Sequence, residues 1–131
     1  MDNPQVQGVV SQFLEHYYTT LDTDRSRLGP LYRENSTLTF SGGKEPGTPQ
    51  TGTTEIVKKL VELPFQKLEH NLKELRIDVQ LSPNNGILIL VTGDLKVDGG
   101  DYPLPFSQIF QLFQDPAGQW FLFNDIFRLL I

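Results

Sequence analysis

Apolar positions recur at helical spacing from the start of the chain. Val6, Val9, Val10, Phe13, Leu14, Tyr17 and Leu21 fall on one face of a single helix. Asn3 followed by Pro4 marks its start: a capping side chain, then a proline whose missing N–H costs nothing in a first turn. Asp22-Thr23-Asp24 offers a second cap ahead of a short helix at residues 25–28, which Gly29-Pro30 interrupts and Leu31-Tyr32 can continue, since proline is tolerated in a first turn. Residues 36–40 read as a short strand. Residues 41–52 read as loop, with four Gly and two Pro in twelve positions. Thr53 or Thr54 can cap a third helix with Ile56, Val57, Leu60 and Val61 as its buried stripe, and Pro64 ends it.

The period then changes to two. Leu68, His70 and Leu72 alternate on even numbers, and Leu75, Ile77, Val79 and Leu81 on odd ones. A one-residue slip would turn every apolar side chain to the wrong face, so a bulge or sharp bend is expected between Leu72 and Leu75. Pro83-Asn84-Asn85-Gly86 reads as a hairpin turn, its Asn-Gly pair favouring type I′. Strands follow at 87–97, 104–113 and 120–131, with turns at Asp98-Gly99-Gly100-Asp101 and Asp115-Pro116-Ala117-Gly118. Helices first, then consecutive strands, predict an α+β fold with the helices on one face of a mostly antiparallel sheet, in one domain spanning 1–131.

The last two strands are apolar on both faces. Trp120, Leu122 and Ile126 oppose Phe121, Phe123, Phe127 and Leu129; Phe106, Phe110 and Leu112 oppose Ile109 and Phe113. A sheet with one wet face alternates apolar and polar. One of these faces covers the helices, and no helix remains for the other. A sheet-to-sheet homodimer is the simplest cover, with Ile126 at the interface; an apolar pocket under a curved sheet is the other.

Composition narrows the chemistry. Among 131 residues there is no cysteine, which excludes disulfides, thiolate nucleophiles and cysteine-ligated metals. Eleven Lys+Arg against sixteen Asp+Glu leave a net charge of −5, which suits a basic protein surface and not nucleic acid. The opening residues show no signal peptide, and the longest apolar run, 87–91, is far too short to span a bilayer, so no membrane insertion is expected. A nucleocytoplasmic setting fits.

Few residues offer catalysis. Gly42-Gly43-Lys44 lacks the rest of a phosphate loop, and no GxSxG elbow is present. His16 reads as a structural helix-face residue. His70 lies on the semi-apolar face of a strand, where it suits binding more than acid–base work; an enzyme would have only Asp125 as its acidic companion, and Asp125 is better explained as part of the motif at 124–128. Asp94, Asp98 and Asp101 bracket the Gly99-Gly100 turn, as turn formers or as an acidic clamp for Lys or Arg. No catalytic residue, metal or cofactor is expected.

Residues 13–18 (FLEHYY), 22–29 (DTDRSRLG), 31–32 (LY), 38–40 (LTF), 56–60 (IVKKL), 63–67 (LPFQK) and 123–129 (FNDIFRL) resemble the nuclear transport factor 2 family, in its fungal-like form. The resemblance runs from about Phe13 to Leu129 and breaks only at residues 44–51. It implies a homodimer of cones, each with three helices packed on a strongly curved sheet. It implies a carrier that binds the GDP form of the GTPase Ran and Phe-Gly repeat nucleoporins and returns Ran to the nucleus, found in cytoplasm and nucleus and concentrated at the nuclear pore. An aromatic side chain of Ran enters the cone's mouth, and acidic residues there pair with basic ones. Asp98 and Asp101 match the acidic pair, in a turn one residue longer. Lys67, His70 and Phe127 match mouth and cavity positions, and Phe40 stands where animal members have tryptophan. Ser41 replaces a family glutamate that pairs with an arginine of Ran, with Glu45 as a possible substitute. Val6 replaces an aromatic that holds the nucleoporin phenylalanine, near Phe13. Same-fold alternatives are an interaction domain of the mRNA-export or stress-granule type, and an isomerase or dehydratase.

Overall fold

A computed structural model describes residues 4–44 and 46–131. Asn3, the expected helix cap, and Glu45 lie outside them. Helix α1 (Pro4–Thr23) begins at the proline, and Val10, Phe13, Leu14, Tyr17, Tyr18 and Leu21 form its buried stripe. Asp24 caps a 3-10 helix (Arg25–Leu31), its carboxylate accepting the Ser26 N–H at 3.1 Å. Pro30 sits inside that helix, which continues to Leu31.

Strand β1 (Tyr32–Gly42) is twice the expected length. The segment expected to be pure loop contains a two-residue strand, β2 (Gln50–Thr51), paired back onto β1. Helix α2 (Thr53–Val61) is capped by neither threonine. Gly52 takes the cap position at φ 91°, and its carbonyl accepts the Ile56 N–H at 3.0 Å. A positive φ of this kind asks for glycine.

The slip in alternation after Leu72 is a 3-10 turn (Leu72–Glu74) between β3 (Leu68–His70) and β4 (Arg76–Ser82). Strands β5 (Gly86–Val97), β6 (Leu104–Gln114) and β7 (Trp120–Leu129) complete one seven-stranded sheet, ordered β2-β1-β7-β6-β5-β3, with β4 beside β3 on the same edge of β5. All pairs are antiparallel except β1 with β7. The three helices and this mixed, mostly antiparallel curled sheet are the expected α+β class.

The inner face carries Ile87, Ile89, Val91 and Leu95 of β5, Phe106, Phe110 and Leu112 of β6, and Leu122 and Phe127 of β7, all buried. Leu122 and Ile126 were expected on one face, but they lie on opposite faces. The β6–β7 register slips between Gln111 and Leu112, leaving Phe123 as an extra residue. That bulge turns Leu122 and Asp125 inward and leaves Ile126 outside, 47% exposed. No helix among the described residues is long and apolar enough to cross a membrane.

Candidate functional site

At one end of the inner face, aromatic rings form a continuous floor. Phe40 and Phe127 are register partners on β1 and β7 and stack at 4.3 Å with their planes 9° apart. Phe127 stacks on Phe106 at 5.4 Å. Phe65, just past α2, tilts onto Phe40 at 5.9 Å. On the other flank Phe106 meets the His70 ring edge-on at 5.2 Å, and His70 lies against Tyr18 at 4.6 Å. Phe40 and Phe65 are half-buried, so the floor meets solvent at that end.

The stretch 63–67 is held there by Arg25. Its Nε donates to the Leu60 carbonyl at 2.8 Å and its Nη2 to the Phe65 carbonyl at 2.6 Å, while the guanidinium lies 5.6 Å from the Phe65 ring centroid. One side chain thus closes the last turn of α2 and positions the aromatic that follows it.

The acidic companion of His70 is Asp22, not Asp125. The His70 backbone N–H donates to Asp22 Oδ2 at 2.7 Å, and Nδ1 lies 2.6 Å from Oδ1. This ties β3 to the last turn of α1. The imidazole is fully buried, and its Nε2 has no hydrogen-bond partner among the described residues. Asp125 lies under α1, where Tyr17, Tyr32 and Gln108 donate to it.

Asp98 and Asp101 stand at the β5–β6 hairpin tip. Asp98 and Gly99 take φ of 52° and 69°, and the Gly100 N–H donates to the Val97 carbonyl at 3.0 Å, a type I′ turn. Asp98 also fastens the tip to the 63–67 stretch. Its Oδ1 accepts the N–H groups of Gln66 and Lys67, both at 2.8 Å, and its own N–H donates to the Lys67 carbonyl at 2.8 Å. Asp101 is exposed. Lys67 pairs with Glu69 at 3.1 Å, both mostly in solvent, where such a pair is worth little.

Phe40, Lys67, His70, Asp98, Asp101 and Phe127 therefore gather at one end of the molecule. Ser41 does not stand open on that rim. It is 7% exposed, and a Cβ on Gly47 would come within 3.0 Å of its own Cβ, so the 46–49 segment lies across it. A glutamate at position 41 would have to displace that segment to reach a partner.

Val6 and Phe13 are separated by burial. Phe13 is 9% exposed, packed edge-on to Phe110 at 5.2 Å and on Tyr17 at 5.8 Å. Val6 is half-buried and lines a groove of about 480 Å³ with Val9, Leu81 and Trp120. Ile126 lies on the opposite, outer face of the sheet beside Ile109, its register partner.

Tyr18, Asp22, Arg25, Phe65 and Phe106 join the site without having been singled out. Asp22 was legible only as a helix cap, because its partner lies 48 residues away. No group of three or more His, Cys, Asp or Glu side chains suited to a metal ion occurs among the described residues.

Residues 9–129 match the nuclear transport factor 2 (NTF2) domain. The sequence is 49% identical over 124 residues to nuclear transport factor 2 of Neurospora crassa, covering 95% of this chain and 94% of that protein. It is 45% identical over 122 residues to the Saccharomyces cerevisiae protein of the same name, covering 92% and 91%. The fold matches the solved structure of nuclear transport factor 2 from Cryptosporidium parvum with a TM-score of 0.84, at 42% identity over 97% of this chain and 96% of that one.

Proposed function

The chain belongs to the nuclear transport factor 2 family, and on that premise we propose that it is a nuclear transport factor: a non-catalytic carrier that binds Ran–GDP and Phe-Gly repeat nucleoporins and returns Ran to the nucleus. The aromatic floor rimmed by Asp98 and Asp101 carries this reading. An apolar surface beside exposed acids, in a chain of net charge −5, suits a basic protein partner that inserts an aromatic side chain. The carrier shuttles between cytoplasm and nucleus and concentrates at the nuclear pore. It works as a homodimer joined through the outer sheet face, and the groove beside Val6 takes the nucleoporin phenylalanines.

The His70–Asp22 pair supports this reading over an isomerase or dehydratase. A catalytic base must come within hydrogen-bond reach of its substrate. Here the imidazole is fully covered and wedged between Tyr18 and Phe106. Its bidentate hold by Asp22 is that of a strut between β3 and α1.

The rim is tested with Asp98→Asn and Asp101→Asn together. An asparagine Oδ1 still accepts from Gln66 and Lys67, and asparagine tolerates the positive φ at position 98, so the fold is kept and only the charges go. Calorimetry should show Ran–GDP binding abolished or severely weakened at an unchanged melting temperature, since truncating desolvated interface charges costs about 2–5 kcal/mol. Salt should weaken the wild-type complex for the same reason. Undiminished binding by the double variant would sink the acidic-rim mechanism.

A further inference from the structure

The hairpin tip that carries the two rim acids also carries the most exposed large apolar side chain among the described residues. Tyr102 is 82% exposed, above Ile131 at 68% and Leu81 at 59%. Single exposed apolar residues are ordinary, so exposure alone says little. Its setting says more.

The backbone around Tyr102 is fixed on both sides. The type I′ turn at Asp98 and Gly99 closes one side. On the other, the Pro105 carbonyl accepts the Leu130 N–H at 2.8 Å. Pro103 holds the preceding residue away from helical conformations. Pro103 also forms a wall of a groove of about 500 Å³ whose charged lining is mixed, Glu69, Glu74 and Asp94 with Lys73 and Lys96. Tyr102 takes part in none of the ring contacts among the described residues. An aromatic held on a short, anchored loop loses little entropy when a partner covers it.

The two acids of the tip are also not equivalent. Asp98 spends its Oδ1 on Gln66 and Lys67, building the tip. Asp101, next in sequence to Tyr102, is exposed. The tip thus exposes a phenol ring and a carboxylate on consecutive residues, and a guanidinium suits either, stacking on a ring or donating to an acid.

We infer that Tyr102 is a further partner-binding residue, the aromatic anchor for an arginine on the basic surface the rim engages. This rests on the carrier reading above, and it assigns that surface a second aromatic contact outside the mouth.

The test is calorimetric titration of Ran–GDP into the wild-type chain and into Tyr102→Phe, Tyr102→Leu and Tyr102→Ala. Phenylalanine keeps the π face, leucine keeps only apolar area, and alanine keeps neither. Phe should bind like wild type, while Leu and Ala should bind roughly three- to tenfold more weakly, with melting temperature and oligomeric state unchanged. Wild-type affinity in the Ala variant would overturn the inference. So would wild-type affinity in the Leu variant, which would make the contact simply apolar, or equal loss in Phe and Ala, which would assign it to the hydroxyl. A wild-type chain that does not bind Ran–GDP would overturn the carrier reading itself, and this inference with it.

Discussion

Asp125 sits fully buried between α1 and the sheet, its Oδ2 accepting from the Tyr17 hydroxyl at 3.0 Å and the Tyr32 hydroxyl at 2.7 Å, and its Oδ1 from Gln108 Nε2 at 2.8 Å. Gln108 Oε1 in turn accepts from Tyr18 at 2.7 Å. Burial pushes the Asp125 carboxyl up from 3.8 to about 6, against the three donors, which pull it down. Burial, with Asp125 nearby, also holds the phenols of Tyr17, Tyr18 and Tyr32 well above their ordinary value. Between pH 4 and 6 the folded chain therefore binds a proton at Asp125 that the unfolded chain has released. Stability falls as pH rises through that window, by at most about 3 kcal/mol for a shift of this size. Asp24 and Asp115 are lowered, chiefly by hydrogen bonds from Ser26 and Gln119, so their contribution has the opposite sign and is lost below pH 4. Asp125→Asn removes the titrating group and replaces one of the two accepting oxygens by an NH2 donor, so the three donors facing it compete for a single oxygen. Its melting temperature should be lower than wild type near pH 5 and should change less between pH 4.5 and 7. Thermal scans of both proteins across that range check this, and parallel pH profiles would refute it.

Elements differed in how far they could be read from the chain, according to whether both faces of a strand carried the same kind of residue. The alternation at 68–81 has a clear phase, so its slip placed the 3-10 turn correctly. β7 has apolar residues on both faces, so its pattern carries no phase and the bulge at Phe123 was invisible. Phe40, His70, Asp98 and Phe127 were named through the family resemblance, and the fold brings them to one end of the molecule. The Asp22 clamp was not legible, because no local signal marks a contact between the end of α1 and β3. The β4–β5 hairpin shows a third case. A type I′ turn was expected from Asn-Gly, but its two positive φ values fall on Asn84 and Asn85, at 61° and 57°, and Gly86 has another task. A Cβ there would lie 2.4 Å from Phe113 Cε1 and 2.2 Å from Ser82 Oγ. The serine can rotate away, but the ring is held edge-on to Phe123 at 5.4 Å. Gly86→Ala should therefore destabilise the chain by about 1–3 kcal/mol through overpacking, even though its backbone accepts alanine. Urea denaturation would show a lower midpoint at unchanged slope, and a midpoint equal to wild type would mean the ring yields.

For the whole molecule, the proposed pairing of two copies turns on the outer sheet face. Leu90, Ile109 and Ile126 are register neighbours across β5, β6 and β7, exposed by 39%, 37% and 47%, with Leu88 beside them at 38%. Large apolar side chains aligned on adjacent strands form a continuous stripe, unlike the scattered exposure normal for a monomer's surface. The helices pack on the inner face, so within one chain nothing among the described residues covers this one. A second copy placed by a two-fold axis presents the same stripe back to it, and a stable pair of this kind buries roughly 1,200–2,000 Å² in total. Two-fold symmetry also doubles the effect of a single substitution. Ile126→Asp puts two carboxylates into one apolar contact, where neither has a partner and each resists desolvation. That variant should run as a 14.9 kDa species in light scattering at micromolar concentration, while the wild-type chain runs at twice that mass. Leu130→Asp is the control: Leu130 is exposed to a similar degree, 46%, but lies beyond the end of β7, so that variant should remain dimeric. If Ile126→Asp also remains dimeric, the copies meet through some other surface and the stripe needs a different occupant. If the wild type itself runs at 14.9 kDa, the second copy is excluded altogether.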